Sequence, residues 1–430
     1  MSAMAGFDWQ FVIVTLAAAW GGWVLLRPLW RSRGGKRAAG ACGHCSFAAC
    51  GKKPVPDTSS GLVRLGSGAP RKPVSRLVLV VLLPLLLNAC AGAALVPASV
   101  ADNLVERRLS VMGTSLDIAI EAADRATALA ASERAVAALE AAEARLSTWR
   151  DDTELARLNQ APVGEPVTLS EELAADLAAV QWCWQETGGA FDPSVGPLVR
   201  AWGLREGGRL PGEDELRAAL TATGLDGLRL DGRTAIREEA GLVLEEGGFG
   251  KGAGLAEALA ALAKVPGVQR AALDLGGQVA LLSSGGSTWS VPVADPQRRD
   301  REVIALTVDR GSVSTSGNSE RGIMVEGRRI GHLLDPRTGR PAPDFGSLTV
   351  WTADPLAADC LSTGLYVMGP EAALAWAVEH PGVEVLALRR QGERLEALAT
   401  PGLRGRLEAL TGDVGIRFWT QRGSPAVPGR

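Results

Sequence analysis

Two dense apolar runs before residue 91 constrain this chain most, because they divide it into a part that addresses a membrane and a part that folds in water. Residues 11–26 are almost wholly apolar and are followed by Arg27, Arg31, Arg33, Lys36 and Arg37, with Trp9, Trp20, Trp23 and Trp30 close by. Apolar length, flanking cations and interfacial tryptophans predict a short transmembrane helix whose C-terminal end faces the cytoplasm. A buried helix of a soluble domain is the alternative, and the lack of a polar face argues against it. The second run, residues 77–87, follows Arg71, Lys72 and Arg76 and closes on Leu87-Asn88-Ala89-Cys90. A basic start, a short apolar middle and small residues at the end have the composition of an export signal, and the closing cysteine resembles a lipobox. An ordinary second membrane helix is the other reading. Both carry the chain after residue 91 out of the cytoplasm, so the expectation is an inner-membrane-anchored protein or lipoprotein with a periplasmic or other extracytoplasmic domain. A signal in this internal position implies either a gene fusion or a translation start further downstream.

Between the runs, Cys42, Cys45 and Cys50 lie close to His44 and are followed by a Gly-, Pro- and Ser-rich linker. Three thiols and an imidazole have the ligand chemistry for a metal or an iron–sulfur cluster, but a second ligand pair is missing, and a reduced, unliganded tail fits equally well. Cys183 and Cys360 stand alone in the later part, so no disulfide framework is suggested. The segments are therefore 1–37, a membrane helix with its basic flank; 38–76, a Cys-rich stretch and linker; 77–90, the signal-like run; and 101–420, one soluble domain. The net charge of −3 removes any electrostatic case for nucleic-acid binding.

The soluble part mixes two periodicities. Residues 104–119 alternate like strands around Met112-Gly113. Helical spacing of apolar residues predicts helices over 124–146, 170–186, 251–262 and 355–368, with Thr168 and Glu171 at capping-box spacing before the second. Strand-like runs fall at 241–244, 271–275, 289–293, 302–308, 312–316 and 347–352. Many are separated by turn residues rather than helices, which predicts an α+β fold with a mostly antiparallel sheet and packed helices.

The strongest local chemical signal is Asp354-Pro-Leu-Ala-Ala-Asp359-Cys-Leu-Ser-Thr363. Asp354 suits a helix N-cap and Pro355 the first helical position. Asp359 and Thr363 then project from one face, a carboxylate and a hydroxyl that suit Mg²⁺ bound jointly with phosphates. Alone, the pair would more often be a solvated helix face. Three small-residue turns change that balance: Glu245-Glu-Gly247-Gly248-Phe-Gly250-Lys251-Gly252, Asp274-Leu-Gly276-Gly277 and Ser314-Thr-Ser-Gly317-Asn318. Such turns let backbone groups approach a pyrophosphate closely. None matches a P-loop or a GxGxxG fingerprint. His332, one of only 3 histidines, lies three residues before Asp335 and is a candidate general base; a structural histidine at a strand end is the alternative.

In this order, the motifs resemble the ApbE family of FAD:protein FMN transferases. The resemblance runs over roughly residues 104–415 and rests on Met112-Gly-Thr114, Leu146-Ser-Thr-Trp149 through Asn159, Gly189-Ala-Phe-Asp-Pro193 through Pro197, His332 through Gly339, and Ala358-Asp359 through Thr363. It implies a T-fold-related domain. It also implies FAD as substrate with Mg²⁺ on its pyrophosphate, and transfer of FMN to a Thr or Ser hydroxyl with AMP released. By that resemblance Asp359, Thr363 and the Gly250 carbonyl would ligate the metal. Met112, Trp149, Ala190, Phe191, Asp192, Gly247, Ala253 and Leu333 would line the flavin or adenine, and His332 would deprotonate the acceptor. The acceptor implied is a protein with an FMN-binding domain, of an Rnf- or Nqr-type or related electron-transfer complex.

Some positions depart from the family pattern. Glu245 replaces an aspartate, Gly250 an alanine and Asp274 a frequent asparagine, and Asn318 and Ser319 replace an acidic residue and a tyrosine. Two other readings stay open: an FAD pyrophosphatase of the same fold, with water as the nucleophile, and a flavin-binding lipoprotein without catalysis.

Overall fold

The computed structural model describes residues 103–420 apart from 319–321, 326 and 393. Both apolar runs, His44, Cys42, Cys45, Cys50 and Cys90 lie outside the described residues, as does Ser319. Among the described residues no helix is long and apolar enough to cross a membrane.

A nine-stranded sheet organises the domain. Its strands are β1 Leu104–Val111, β2 Thr114–Ala122, β3 Val268–Leu275, β4 Gln278–Ser283, β5 Gly311–Ser316, β6 Gly346–Thr352, β7 Val383–Gln391, β8 Arg394–Ala399 and β9 Val414–Phe418. They lie side by side in sequence order. Neighbours run antiparallel except β8 and β9, which are parallel. Between β2 and β3 the chain builds α1 Arg125–Leu146, α2 Glu154–Gln160, α3 Glu171–Glu186, α4 Gly196–Ala201, α5 Glu213–Thr221 and α6 Gly250–Ala263. Between β6 and β7 it builds α7 Pro355–Met368 and α8 Pro370–Glu379.

Period-two alternation explains the layers. In β7, Val385 and Ala387 point into the core shared with α3, α7 and α8. Leu386 and Leu388 point the other way, onto a smaller sheet made of Trp289–Asp295, Arg298–Val308 and Leu407–Ala409. Likewise Leu273 and Leu275 of β3 meet Leu139, Leu255 and Leu262 of α1 and α6, while Ala272 faces the second sheet. The central sheet is therefore buried on both faces over much of its width.

Most elements fall where the sequence predicts them, and two details differ. The expected strand at 241–244 is a single parallel bridge between Val195 and Val243. The cap of α3 is Ser170, whose Oγ accepts from the Leu173 N–H at 3.1 Å. Thr168 cannot cap, because it closes the strand Pro166–Thr168 and pairs with Thr234. Met112 and Gly113 form the two-residue β1–β2 turn with φ of 52° and 68°. Positive φ at both positions matches the twist of the flanking strands, and a side chain at the first of them carries local strain.

Candidate functional site

α7 starts as its sequence requires. Asp354 Oδ1 accepts from the Leu356 N–H at 2.9 Å and Pro355 takes the first helical position. That start sets the phase of the helix, so Asp359 and Thr363 both face one cleft of about 330 Å³. The cleft is also lined by Ala190, Phe191 and Asp192, the turns at Gly247-Gly248 and Gly276-Gly277, and His332-Leu333, and by Ser314 to Gly317, which the structure places at the end of strand β5 rather than in the expected turn. These small-residue segments and the histidine, far apart in sequence, thus converge on the Asp359–Thr363 face of α7.

Asp359 is nearly buried, and its side chain is only 4% exposed. Lys251 Nζ lies 2.9 Å from its Oδ1 and 3.3 Å from its Oδ2, and the Gly252 N–H donates to Oδ2 at 3.0 Å. A β-carbon at Gly252 would sit 2.5 Å from the Pro355 carbonyl oxygen and 2.8 Å from Asp359 Cβ. Glycine there lets α6 and α7 approach closely enough for these bonds. Gly248 abuts Thr363, since a β-carbon on it would lie 3.7 Å from Thr363 Oγ1.

Hydroxyls tie the end of β5 to α7. Ser362 Oγ donates to the Asp359 carbonyl at 3.0 Å, so Ser314 and Ser316 donate to Ser362 Oγ at 3.0 and 2.9 Å. Gln278 anchors the helix start, its Nε2 donating to the Pro355 carbonyl at 2.8 Å. Asn318, 2% exposed, links α7 to the histidine loop. Its Oδ1 accepts from the Leu333 N–H at 2.9 Å, its Nδ2 donates to the Ala342 carbonyl at 2.7 Å, and its N–H donates to Tyr366 Oη at 3.3 Å. Burial pushes the Tyr366 hydroxyl well above its usual range, and Asp344 adds to the shift. Asp335 is occupied by its own turn, accepting from Arg337 N and Nε at 3.0 and 2.9 Å.

The cleft walls are held from behind. Asp192 Oδ1 accepts from Ser194 N at 2.8 Å and Oδ2 from Leu225 N at 3.1 Å. Burial pushes its carboxyl up and these bonds pull it down. Phe191, 2% exposed, fits between Gly248 and Gly364, where a β-carbon would meet its ring at 3.1 Å or its own Cβ at 2.7 Å. Glu245 lines the cleft and pairs with Arg205, and burial raises its carboxyl against that partner. The Arg205 guanidinium lies 4.3 Å above the Trp149 ring, which is 70% exposed.

Of the residues singled out from sequence, Ala190, Phe191, Asp192, Gly247, His332, Leu333, Asp359 and Thr363 line the cleft. Met112, Trp149, Gly250 and Ala253 do not. Met112 packs against α6 instead: a β-carbon at Gly254 would lie 3.1 Å from its sulfur, and its N–H donates to Glu143 Oε2 at 3.0 Å. Ala253 is buried, Gly250 opens α6, and Trp149 stands outside the lining. Sequence reasoning missed Lys251, Gln278, Ser362 and Arg205 as parts of the site. Only Lys251 carried a usable signal, a lone cation inside a Gly-rich turn.

Among the described residues no three His, Cys, Asp or Glu side chains gather into a metal cluster. A cation here would take one protein carboxylate, Asp359, with hydroxyl, backbone and phosphate oxygens completing its shell, which is chemistry that suits Mg²⁺. Asp359 already holds a cationic partner, so the position fits positive charge.

A family model described as the ApbE family matches residues 112–387. An FAD:protein FMN transferase of Klebsiella pneumoniae is 32% identical over 74% of this chain and 93% of its own length. One from Escherichia coli K12 is 30% identical over 67% and 85% respectively. The solved flavin transferase ApbE of Vibrio cholerae has a TM-score of 0.62 and 27% identity, covering 71% of this chain and 99% of that one. The apo flavinyl transferase ApbE of Pseudomonas stutzeri gives 0.62 and 26%, covering 71% and 97%. The α+β sheet order, the cleft built on α7 and these matches agree, and the chain belongs to the ApbE family.

Proposed function

We propose that this chain transfers FMN from FAD to a Thr or Ser hydroxyl of an acceptor protein, releases AMP, and depends on Mg²⁺. The observation that carries the reading is the convergence of Asp359, Thr363, Lys251, His332 and the serines at the end of β5 on one cleft in a chain of this family. Phosphoryl transfer needs alignment and charge neutralisation more than covalent help. The Gly317 N–H would serve as a donor to the pyrophosphate, and Lys251 supplies positive charge. Asp359 and Thr363 would hold the metal. When bound, Mg²⁺ would draw charge from the phosphate oxygens and favour AMP as a leaving group. His332 takes the proton of the acceptor hydroxyl, whose oxygen bonds to the FMN phosphorus as the anhydride bond to AMP breaks. Asn318 positions that step by fixing the backbone at Leu333.

The acceptor, by the same reading, carries the FMN-binding domain of an Rnf- or Nqr-type or related complex. Catalysis takes place outside the cytoplasm, with the chain anchored by its N-terminal apolar runs. Mass spectrometry of a co-expressed acceptor tests the chemistry. The wild type is expected to add FMN, and Asp359→Ala and His332→Ala to lose the adduct. An unchanged adduct in both variants would refute these roles, and free FMN and AMP formed without acceptor would point to hydrolysis instead.

A further inference from the structure

The Asp359 carboxylate and the Lys251 ammonium form an ion pair inside the cleft that would also receive the metal. Both Asp359 oxygens lie within 3.3 Å of Nζ, and the Asp359 side chain is 4% exposed against 26% for Lys251. A nearly buried carboxylate needs a partner charge, and Lys251 supplies it. A divalent cation taking the same carboxylate would sit within a few ångström of the ammonium, and like charges at that range repel strongly in a shielded cleft. Lys251 is better placed than Asp359 to move. It sits on the first turn of α6 on a flexible stem, and it lines the same cleft as the Gly247-Gly248 and Gly276-Gly277 turns.

We propose that Lys251 is a built-in stand-in cation, which changes partner from Asp359 to a substrate phosphate when a divalent metal takes the carboxylate. The inference rests on the metal and pyrophosphate reading above. Its consequence is interdependence. Metal alone competes with Lys251 and binds weakly. A pyrophosphate accepts the displaced ammonium and raises metal affinity, and the metal raises nucleotide affinity by the same factor. The protein then avoids holding a bare metal against the solvent, and it closes the charge balance only when both components are present.

Mn²⁺ titrations of the full chain, followed by the electron paramagnetic resonance signal of free Mn²⁺, test this with ADP as the unreactive pyrophosphate probe. Without ADP, Lys251→Met is expected to bind Mn²⁺ roughly tenfold more tightly than wild type, while Lys251→Arg stays close to wild type. The gain in Mn²⁺ affinity on adding ADP is expected to shrink in Lys251→Met by a similar factor. If Mn²⁺ binding needs Asp359 (lost in Asp359→Asn) yet Lys251→Met binds no more tightly than wild type, the exchange is overturned while the metal site survives. If wild type binds no Mn²⁺ even with ADP, or Asp359→Asn binds as wild type does, the metal site and the exchange fall together. Acetylation of Lys251 in the wild type, read by mass spectrometry, needs no variant. It is expected to be slow in the protein alone, faster with Mn²⁺, and slow again with Mn²⁺ and ADP. Equal rates in all three conditions would overturn the exchange.

Discussion

Asp274 combines a turn's need for an acceptor with the cost of a half-hidden charge. Its Oδ1 accepts the Gly277 N–H at 2.8 Å and so shapes one of the turns lining the cleft. Burial lifts its carboxyl to about 6, the Gly277 bond pulls it down, and Asp117 pushes it further up. A carboxyl raised in the folded state favours folding at low pH, and that advantage is lost as pH climbs from about 4 through about 6. Asp274→Asn keeps the acceptor and removes the charge. It is expected to match wild-type stability at pH 4 and exceed it by roughly 1–3 kcal/mol at pH 8, as read by denaturant unfolding at the two pH values. Equal stability differences at both would show that the carboxylate is not the cause. At this scale the sequence was legible where chemistry is local. Asp359 and Thr363 could be read together because Asp354 and Pro355 set the phase of one helix. The partnership of Asp359 with Lys251 could not, because the two lie 108 residues apart and only folding sets the distance between them. The same holds for Asn318, which reads as a turn residue and proves to be a buried bridge to the histidine loop.

Two helices, α6 and α7, meet at Gly252, and the candidate metal site depends on that contact. A methyl group there would meet backbone atoms, the Pro355 oxygen at 2.5 Å and Leu356 Cα at 2.7 Å, which cannot rotate away. Gly252→Ala is expected to cost about 1–3 kcal/mol of stability and to weaken Mn²⁺ binding, because α7 and its carboxylate must shift. Gly212→Ala is the control, since nothing lies within 4 Å of its added carbon and it stands outside the cleft lining. Urea unfolding and metal titration of both variants separate the outcomes, and equal losses would remove the special role given to Gly252. Long amphipathic helices and alternating strands were readable from periodicity. The short α2, α4, α5 and α8 were not, because few turns carry too little pattern to distinguish from loop. The cap of α3 was misplaced by two residues for a related reason. Thr168 and Ser170 are both good caps, and strand pairing of Thr168 with Thr234 decides between them.

The whole domain is a sequence-ordered sheet opened by long insertions. β2 pairs with β3 across all six helices between them, Leu116 facing Leu275 and Ile118 facing Leu273. The second sheet, carrying the fully buried Trp289, covers the face that the helices leave. The matched Vibrio cholerae structure is covered over 99% of its length by 71% of this chain, which bears on the N-terminal region. A chain beginning at residue 101 is expected to stay in the supernatant and still form the FMN adduct, and the full chain is expected to sediment with membranes. Ultracentrifugation with an adduct assay on both fractions checks this, and a full chain left in the supernatant would sink the anchoring proposal.

By itself the sequence determined what short-range physics governs: the apolar runs, the strand and helix periods, the N-cap of α7, and the residue types able to bind phosphate and metal. The tertiary structure decided which of those residues meet. Strand neighbours, the Gly252 contact, the Ser314–Ser316–Ser362 hydroxyl cluster and the Lys251–Asp359 pair all join segments far apart in the chain. Such contacts form only when burial of the shared core outweighs the entropy of closing long loops, and that balance belongs to the whole fold rather than to any local run.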